Sequence, residues 1–77
     1  MSELPAVTGR EAIKAFQTVG FEVARVEGSH HILKKPGHPF NLSIPVHGNK
    51  PLKRGTVRRL IRDAGLSVKQ FVEVLNK

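Results

Sequence analysis

Two adjacent histidines, His30 and His31, are the side chains of this sequence best suited to acid-base chemistry. An imidazole titrates near neutrality and can take a proton from a hydroxyl group as that group attacks. In RNA the hydroxyl is the ribose 2′-OH, and its attack on the adjacent phosphate yields a cyclic phosphate and a 5′-hydroxyl. Nearby Lys or Arg side chains would stabilise the charge on the phosphorane oxygens. The simpler alternative is a histidine that only forms a hydrogen bond or contacts a phosphate.

The pattern around these histidines leaves open which of them would act. Neighbouring residues of a strand point to opposite faces, so His30 shares a face with Ile32 and His31 shares one with Leu33. Both of those neighbours are apolar, and periodicity therefore does not identify the inward face. Side chains on opposite faces do not chelate one ion in the ordinary way, and residues 28–62 contain no Asp, Glu or Cys. We expect neither a metal site nor a cofactor.

Positive charge is concentrated in residues 28–62, which contain eight Lys and Arg residues and no acid. The other 42 residues contain five basic and six acidic ones, so the net charge of +7 divides into +8 and −1. Such a localised positive charge predicts that the protein binds a polyanion. Nucleic acid is favoured as this partner, over a membrane and over charges that merely solvate the surface. Cations and free helix amides together make a phosphate site. The expected RNA and phosphate contacts are Gly28, Ser29, Lys34, His47, Lys50, Lys53, Arg54, Thr56 and Arg58.

Length and composition bound the remaining possibilities. A chain of 77 residues predicts one small domain, residues 1–77, with a shallow surface site. The absence of cysteine excludes disulfides. Residues 1–5 lack an apolar run of signal-peptide length, and no window is long enough to span a membrane. We therefore expect a cytoplasmic protein that does not bind membranes.

Three helices are predicted from their caps. A capping box at Thr8–Glu11 starts the first helix, and Gly20 ends it. Gly55-Thr56 opens the second helix, and a further capping box at Ser67–Gln70 starts the third.

Three strands lie between the first two helices. Phe21, Val23 and Arg25 are predicted to share one face of the first strand, and a turn at 27–29 leads into the second. In the third strand, Phe40, Leu42 and Ile44 are predicted to face the core, and Pro45 ends the strand. The order α-β-β-β-α-α predicts a two-layer α+β fold, a three-stranded antiparallel sheet with helices on one face and a working surface on the other.

Two segments carry a resemblance to a known family: Gly28–Ile32, and Ile44–Lys50 followed by Gly55-Thr56-Val57 and 61–66. Over nearly its whole length the chain resembles the HicA toxins of bacterial toxin-antitoxin systems, which are small mRNA interferases with a double-stranded-RNA-binding-domain-like fold. The resemblance implies cleavage of mRNA by a catalytic histidine in the first of these segments. We assign this role to His30, with His31 as the alternative. It also implies a HicB-type antitoxin that covers the active face, and we expect the free toxin to be a monomer.

Two other classes of function fit the same residues. A non-catalytic RNA-binding module would use His30 and His47 only to contact phosphate or sugar. A basic module that binds an acidic protein would show no affinity for RNA. Cleavage of RNA separates the first hypothesis from both.

Overall fold

The computed structural model describes residues 4–77. Its elements are α1 (Gly9–Thr18), β1 (Glu22–Glu27), β2 (His30–Lys34), β3 (Leu42–Pro45), α2 (Arg54–Asp63) and α3 (Val68–Leu75). The strands form one antiparallel sheet in the order β1-β2-β3. The predicted α+β class and element order are confirmed, and they agree with a double-stranded-RNA-binding-domain-like fold. Residues 1–3 lie outside the described residues. They belong to the predicted domain 1–77 and to residues 1–5, for which no signal peptide is predicted.

The two predicted capping boxes are confirmed. At the start of α1, the Thr8 hydroxyl accepts a hydrogen bond from the Glu11 amide at 3.2 Å, and the Glu11 carboxylate accepts one from the Thr8 amide at 2.9 Å. Ser67 and Gln70 repeat the arrangement at the start of α3. Helix α2 differs, because its N-cap residue Lys53 makes no side-chain cap. The first amides of α2 are therefore open to other acceptors.

The first strand contains a β-bulge that changes which residues share a face. Val23 pairs with Leu33 and Arg25 pairs with Ile32, so Ala24 is the extra residue. Side chains that are directly opposite across two strands lie on one face of the sheet. Because Leu33 and Ile32 point to opposite faces, Val23 and Arg25 do so too. The predicted common face for these two residues is wrong.

Phe40 does not belong to the core face of β3. Leu42 and Ile44 are buried as predicted, but β3 begins only at Leu42, and the Phe40 side chain is 56% exposed. The pairing explains this, because Leu42 lies opposite Leu33, and β2 ends one residue later at Lys34. Phe40 therefore lies beyond the paired part of the sheet. The predicted inward position for Phe40 is wrong.

The core lies between the helices and one face of β2 and β3. Phe16 of α1 and Phe71 of α3 are both fully buried, and their ring centroids are 5.2 Å apart. Helices α1 and α2 pack over β3, whereas all six residues of β1 are exposed. Helices on one face of the sheet are thus confirmed, but they leave β1 uncovered. Among residues 4–77, none of the helices is long and apolar enough to cross a membrane.

Candidate functional site

The two segments that carry the family resemblance, Gly28–Ile32 and Ile44–Lys50, are called here the signature segments, and they meet at the end of the sheet where β2 begins. His30, the first residue of β2, lies opposite Pro45, the last residue of β3. One residue further out, the Val46 amide donates a hydrogen bond to the Ser29 carbonyl at 2.7 Å. His47 follows directly. The sheet thus joins segments 28–31 and 45–47, which are separated by 13 residues of sequence.

His30 lies on the open face of the sheet. Its side chain is exposed, and within residues 4–77 it has no hydrogen-bond partner. Directly opposite on β1 is Glu27, whose Oε2 lies 2.9 Å from Nε of Arg25. An acidic residue therefore lies opposite His30 in the sheet, although the acid-free block begins one residue after Glu27. The short turn Gly28-Ser29 could have predicted this position of Glu27 from the sequence. A two-residue turn places its flanking residues opposite one another.

His31 points to the helix side of the sheet. It lies opposite Ile44, and its neighbour on the same face, Leu33, is fully buried. In the described part of the chain its Nδ1 is buried without a hydrogen-bond partner, so Nε2 is the ring nitrogen that reaches the surface. A proton on Nδ1 would be a buried donor without an acceptor, which costs about 1–3 kcal/mol. A bare Nδ1 would likewise be a buried acceptor without a donor, so burial does not select a tautomer, and Nε2 is the ring nitrogen open to a ligand.

The loop at 46–53 extends from this end of the sheet to α2. The Lys50 amide donates to the His47 carbonyl at 3.1 Å, and the Leu52 amide donates to the Val7 carbonyl at 2.7 Å. Pro51 forms an isolated bridge with Thr8, just before α1. These bonds fix the path of a loop whose cationic side chains are exposed. The loop thus holds Lys50 between His47 and the start of α2.

The start of α2 adds further cations. Lys53 and Arg58 are exposed, Thr56 is half-buried, and the first turn contains no acid. The helix dipole and the open amides at this end favour an anion. Arg54 also has a structural partner, because its Nη1 donates to the Leu4 carbonyl at 2.7 Å. The predicted contact Arg54 therefore holds the segment before α1 in place with one of its five donors.

Lys34 is not brought together with the other predicted contacts. It shares the open face with His30 but lies four residues along β2, about 13 Å away at roughly 3.3 Å per residue. Its cross-strand partner is Glu22. His38 is also distant from the site, because its Nε2 contacts the carbonyl of Asp63 at 2.6 Å, at the end of α2. The remaining predicted contacts cluster at the His30 end of the sheet or follow the loop to α2.

Comparison with known families identifies this arrangement. The sequence model of the family described as "HicA toxin of bacterial toxin-antitoxin" matches residues 9–66. These residues contain α1, the whole sheet, both signature segments and α2. The chain belongs to the HicA toxin family. A search of curated proteins finds no match to the chain. Membership of the HicA family makes this protein the toxin of a toxin-antitoxin system and implies a cognate antitoxin.

The HicA match does not extend over the last helix. It ends at Leu66, immediately before the capping box of α3. Within residues 4–77, no group of three or more His, Asp or Glu side chains is arranged to hold a metal ion. The residues that the sheet and its loop connect to the His30 end are instead Glu27, His47 and the exposed cations Lys50 and Lys53.

Proposed function

We propose that this HicA toxin is an endoribonuclease that cleaves mRNA without a metal ion, with His30 as the general base. The observation that carries the proposal is the position of His30. It is an exposed imidazole without a partner among residues 4–77, at the point where the turn 28–29 meets the start of the cationic loop 46–53. A substrate phosphate bound by Lys50 and Lys53 would bring the neighbouring ribose to this end of the sheet.

The reaction would use the nucleophile that RNA itself carries. His30 takes the proton from the 2′-hydroxyl as its oxygen forms a bond to phosphorus. The bond between phosphorus and the 5′-oxygen breaks, and that oxygen receives a proton from the imidazolium or from water. Lys50, Lys53 and the open amides of α2 stabilise the charge on the non-bridging oxygens. The products are a 2′,3′-cyclic phosphate and a 5′-hydroxyl.

The exposure of the His30 side chain favours it over His31 as the general base. A histidine that accepts a proton on Nε2 must already carry its other proton on Nδ1. In His31 that proton would be buried without an acceptor, whereas His30 is exposed and solvent can satisfy either nitrogen. We therefore assign the base to His30 and keep His31 as the alternative.

The second candidate function is a non-catalytic RNA-binding module. It is favoured by one observation: His30 has no hydrogen-bond partner within residues 4–77 that would fix its tautomer. In that case His30 and His47 would contact only phosphate or sugar. Binding would weaken with salt as it does for the enzyme, so affinity alone does not separate the two functions.

The partner that we propose for the free toxin is a HicB-type antitoxin that covers the His30 face. Because residues 28–62 carry a net charge of +8, a surface that covers them needs acidic groups to avoid burying unpaired cations. We propose that the toxin acts as a monomer in the cytoplasm, where mRNA is its substrate.

A cleavage assay tests the proposal. Purified toxin is incubated with a long RNA in excess EDTA, and new ends are detected by 5′-phosphorylation of hydroxyl termini. We expect His30→Ala to lower the rate about 10²–10⁴-fold, which is the usual contribution of a general base. His38→Ala provides a histidine control remote from the site. Circular dichroism confirms that every variant folds.

Four outcomes decide between the hypotheses. Loss of cleavage in His30→Ala alone supports the proposed base, and loss in His31→Ala alone transfers the role to His31. A folded toxin that binds RNA and never cuts it is the non-catalytic module. A folded toxin with no affinity for RNA at physiological salt rejects both.

A further inference from the structure

A groove on the helix side of the sheet adjoins the proposed catalytic end. It has a volume of about 600 Å³, within the roughly 300–1,000 Å³ that is typical of sites for small ligands. The groove exists because α1 packs over β3 and leaves β1 uncovered. Its lining residues are Arg10, Ile13, Lys14, Gln17, His31 and Val46. None of the four from α1 belongs to the acid-free block.

The side of α1 that lines the groove carries a defined set of groups. Arg10, Ile13, Lys14 and Gln17 recur at the three- and four-residue spacing that places side chains on one side of a helix. Arg10 and Lys14 are exposed, and neither forms an ion pair within residues 4–77. One wall of the groove therefore offers two available cations and one side-chain amide beside an aliphatic side chain.

The other wall offers a single oriented donor. Because Nδ1 of His31 is buried, Nε2 is the ring nitrogen that reaches the surface, and in the tautomer protonated on Nε2 the ring presents an N–H group to the groove. An uncharged N–H group is suited to the acceptor atoms on the edge of a nucleobase. Val46 of this wall and Ile13 of α1 supply apolar surface for the base itself. Phosphate, base edge and base face thus each have a complementary group.

The groove is also continuous with the His30 site. Val46 lines it, and the Val46 amide is bonded to Ser29 in the turn before His30. His30 and His31 are consecutive residues, about 3.8 Å apart between Cα atoms, and they face opposite sides of the sheet. A strand of RNA laid over the turn would come close to both. Gly28 leaves this path open, because a Cβ added there would have no atom within 4 Å.

We propose that the groove between α1 and β2 is a nucleotide subsite that selects where RNA is cut. Arg10 and Lys14 bind a phosphate next to the scissile one, and the His31 Nε2–H donates to an acceptor on the adjoining base. The inference rests on the proposed ribonuclease function. It assigns His31 to recognition of a nucleobase and α1 to binding of the RNA substrate.

Salt-dependent binding tests the role of the two cations. The probe is a labelled 12-nucleotide RNA with 2′-fluoro ribose, which lacks the nucleophile and is not cut. Each lost phosphate contact lowers the slope of log Kd against log salt by about one. We expect Arg10→Gln with Lys14→Gln to lower the slope by about one to two. Lys69→Gln with Lys77→Gln removes the same charge from the C-terminal region and leaves the slope at the parent value.

Cleavage patterns test the role of His31. In a random RNA pool, His31→Phe keeps a ring but removes the donor, whereas His31→Gln restores a donor. We expect His31→Phe to broaden the nucleobase preference beside the cut and His31→Gln to recover part of it, whereas a folded His31→Phe toxin that binds RNA and no longer cuts it assigns His31 to catalysis and overturns the nucleobase contact. Unchanged preference in both folded variants overturns the base contact.

The outcomes separate the groove from the catalytic proposal. If the toxin cuts RNA and the Arg10/Lys14 variant binds with the parent slope, the subsite is wrong and the ribonuclease stands. If the toxin binds the probe through these cations but never cuts ordinary RNA, the groove binds nucleotides, but both catalysis and its role in selecting the cut are wrong. A toxin that does not bind the probe rejects the subsite and leaves the groove to a protein partner.

Discussion

The close approach between Gly9 and the loop before α2 gives a prediction that joins stability to the site. Gly9 is the first residue of α1, and a Cβ at this position would overlap the Pro45 carbonyl oxygen and lie 3.0 Å from Cγ2 of Val46. Because the Pro45 oxygen belongs to the backbone, a rotamer change does not relieve the overlap. In Gly9→Ala the segment 45–46 must move away from α1, and this segment holds the turn before His30.

The magnitude follows from two opposing effects. Overpacking a tight contact costs about 1–3 kcal/mol. The replacement of glycine lowers the entropy of the unfolded chain and stabilises by about 0.4–1 kcal/mol where the backbone accepts alanine. We therefore expect Gly9→Ala to lower the free energy of unfolding by about 0.5–2 kcal/mol. Gly55 in the first turn of α2 is the matched control, because a Cβ there would have no atom within 4 Å. Gly55→Ala should keep or raise stability.

Urea unfolding followed by circular dichroism measures both variants. Thermal unfolding gives a second measurement. For a domain of this size, a change of 1 kcal/mol in the free energy of unfolding shifts Tm by about 4–8 °C, so the two variants should melt at clearly different temperatures. RNA cleavage by folded Gly9→Ala should also fall, because the displaced segment leads directly to His47. Equal stability of Gly9→Ala and Gly55→Ala, at equal m-values, would refute the reasoning.

Two further predictions concern the caps and the core. Hydrogen bonds from the Thr8 backbone amide and hydroxyl lower the pKa of Glu11, so its contribution to stability is present above the unfolded-state pKa and is lost as pH falls through the folded one. Between pH 7 and pH 3, Glu11→Gln should therefore lose less stability than the parent in urea titrations, and an equal loss contradicts the assignment. Phe71→Ala should cost about 3–5 kcal/mol, a large part of the roughly 4–12 kcal/mol that 77 residues provide, whereas Phe71→Leu should cost less. A shift of the Phe71→Ala urea midpoint equivalent to less than 1 kcal/mol would show that α3 is not part of the cooperative core.

The helices were predictable because their signals are local. Thr8 with Glu11 and Ser67 with Gln70 form reciprocal hydrogen bonds within four residues, and the structure contains both. Gly20 adopts a φ of 108°, in the left-handed region that favours glycine after a helix. No information from the rest of the chain was needed for these features.

The sheet was predicted less well because its details depend on pairing. The position of Phe40 follows from where β2 ends, and the bulge at Ala24 follows from the register between two strands. A period of two in the sequence contains neither fact. The faces of His30 and His31 had the same difficulty, because Ile32 and Leu33 are both apolar and only the pairing shows that Leu33 is the buried one.

The candidate site was predicted in part. The two signature segments were recognised, and the structure joins them at one end of the sheet. Glu27 was missed because it falls one residue before the acid-free block. Arg10 and Lys14 were missed because exposed cations on a helix usually indicate only a solvated surface. Their role depends on a groove between α1 and β2, which no local pattern contains.

The uncovered first strand has a consequence for how this protein behaves at high concentration. β1 is an edge of the sheet, and Val23 and Val26 are exposed on it, at 36% and 54%. Such an edge invites a strand of another molecule. Here the bulge at Ala24 breaks the regular spacing of the free backbone groups, and Arg25 and Glu27 place charges beside them. These features oppose the growth of intermolecular sheets and allow a small basic protein to keep an open edge without aggregating through it.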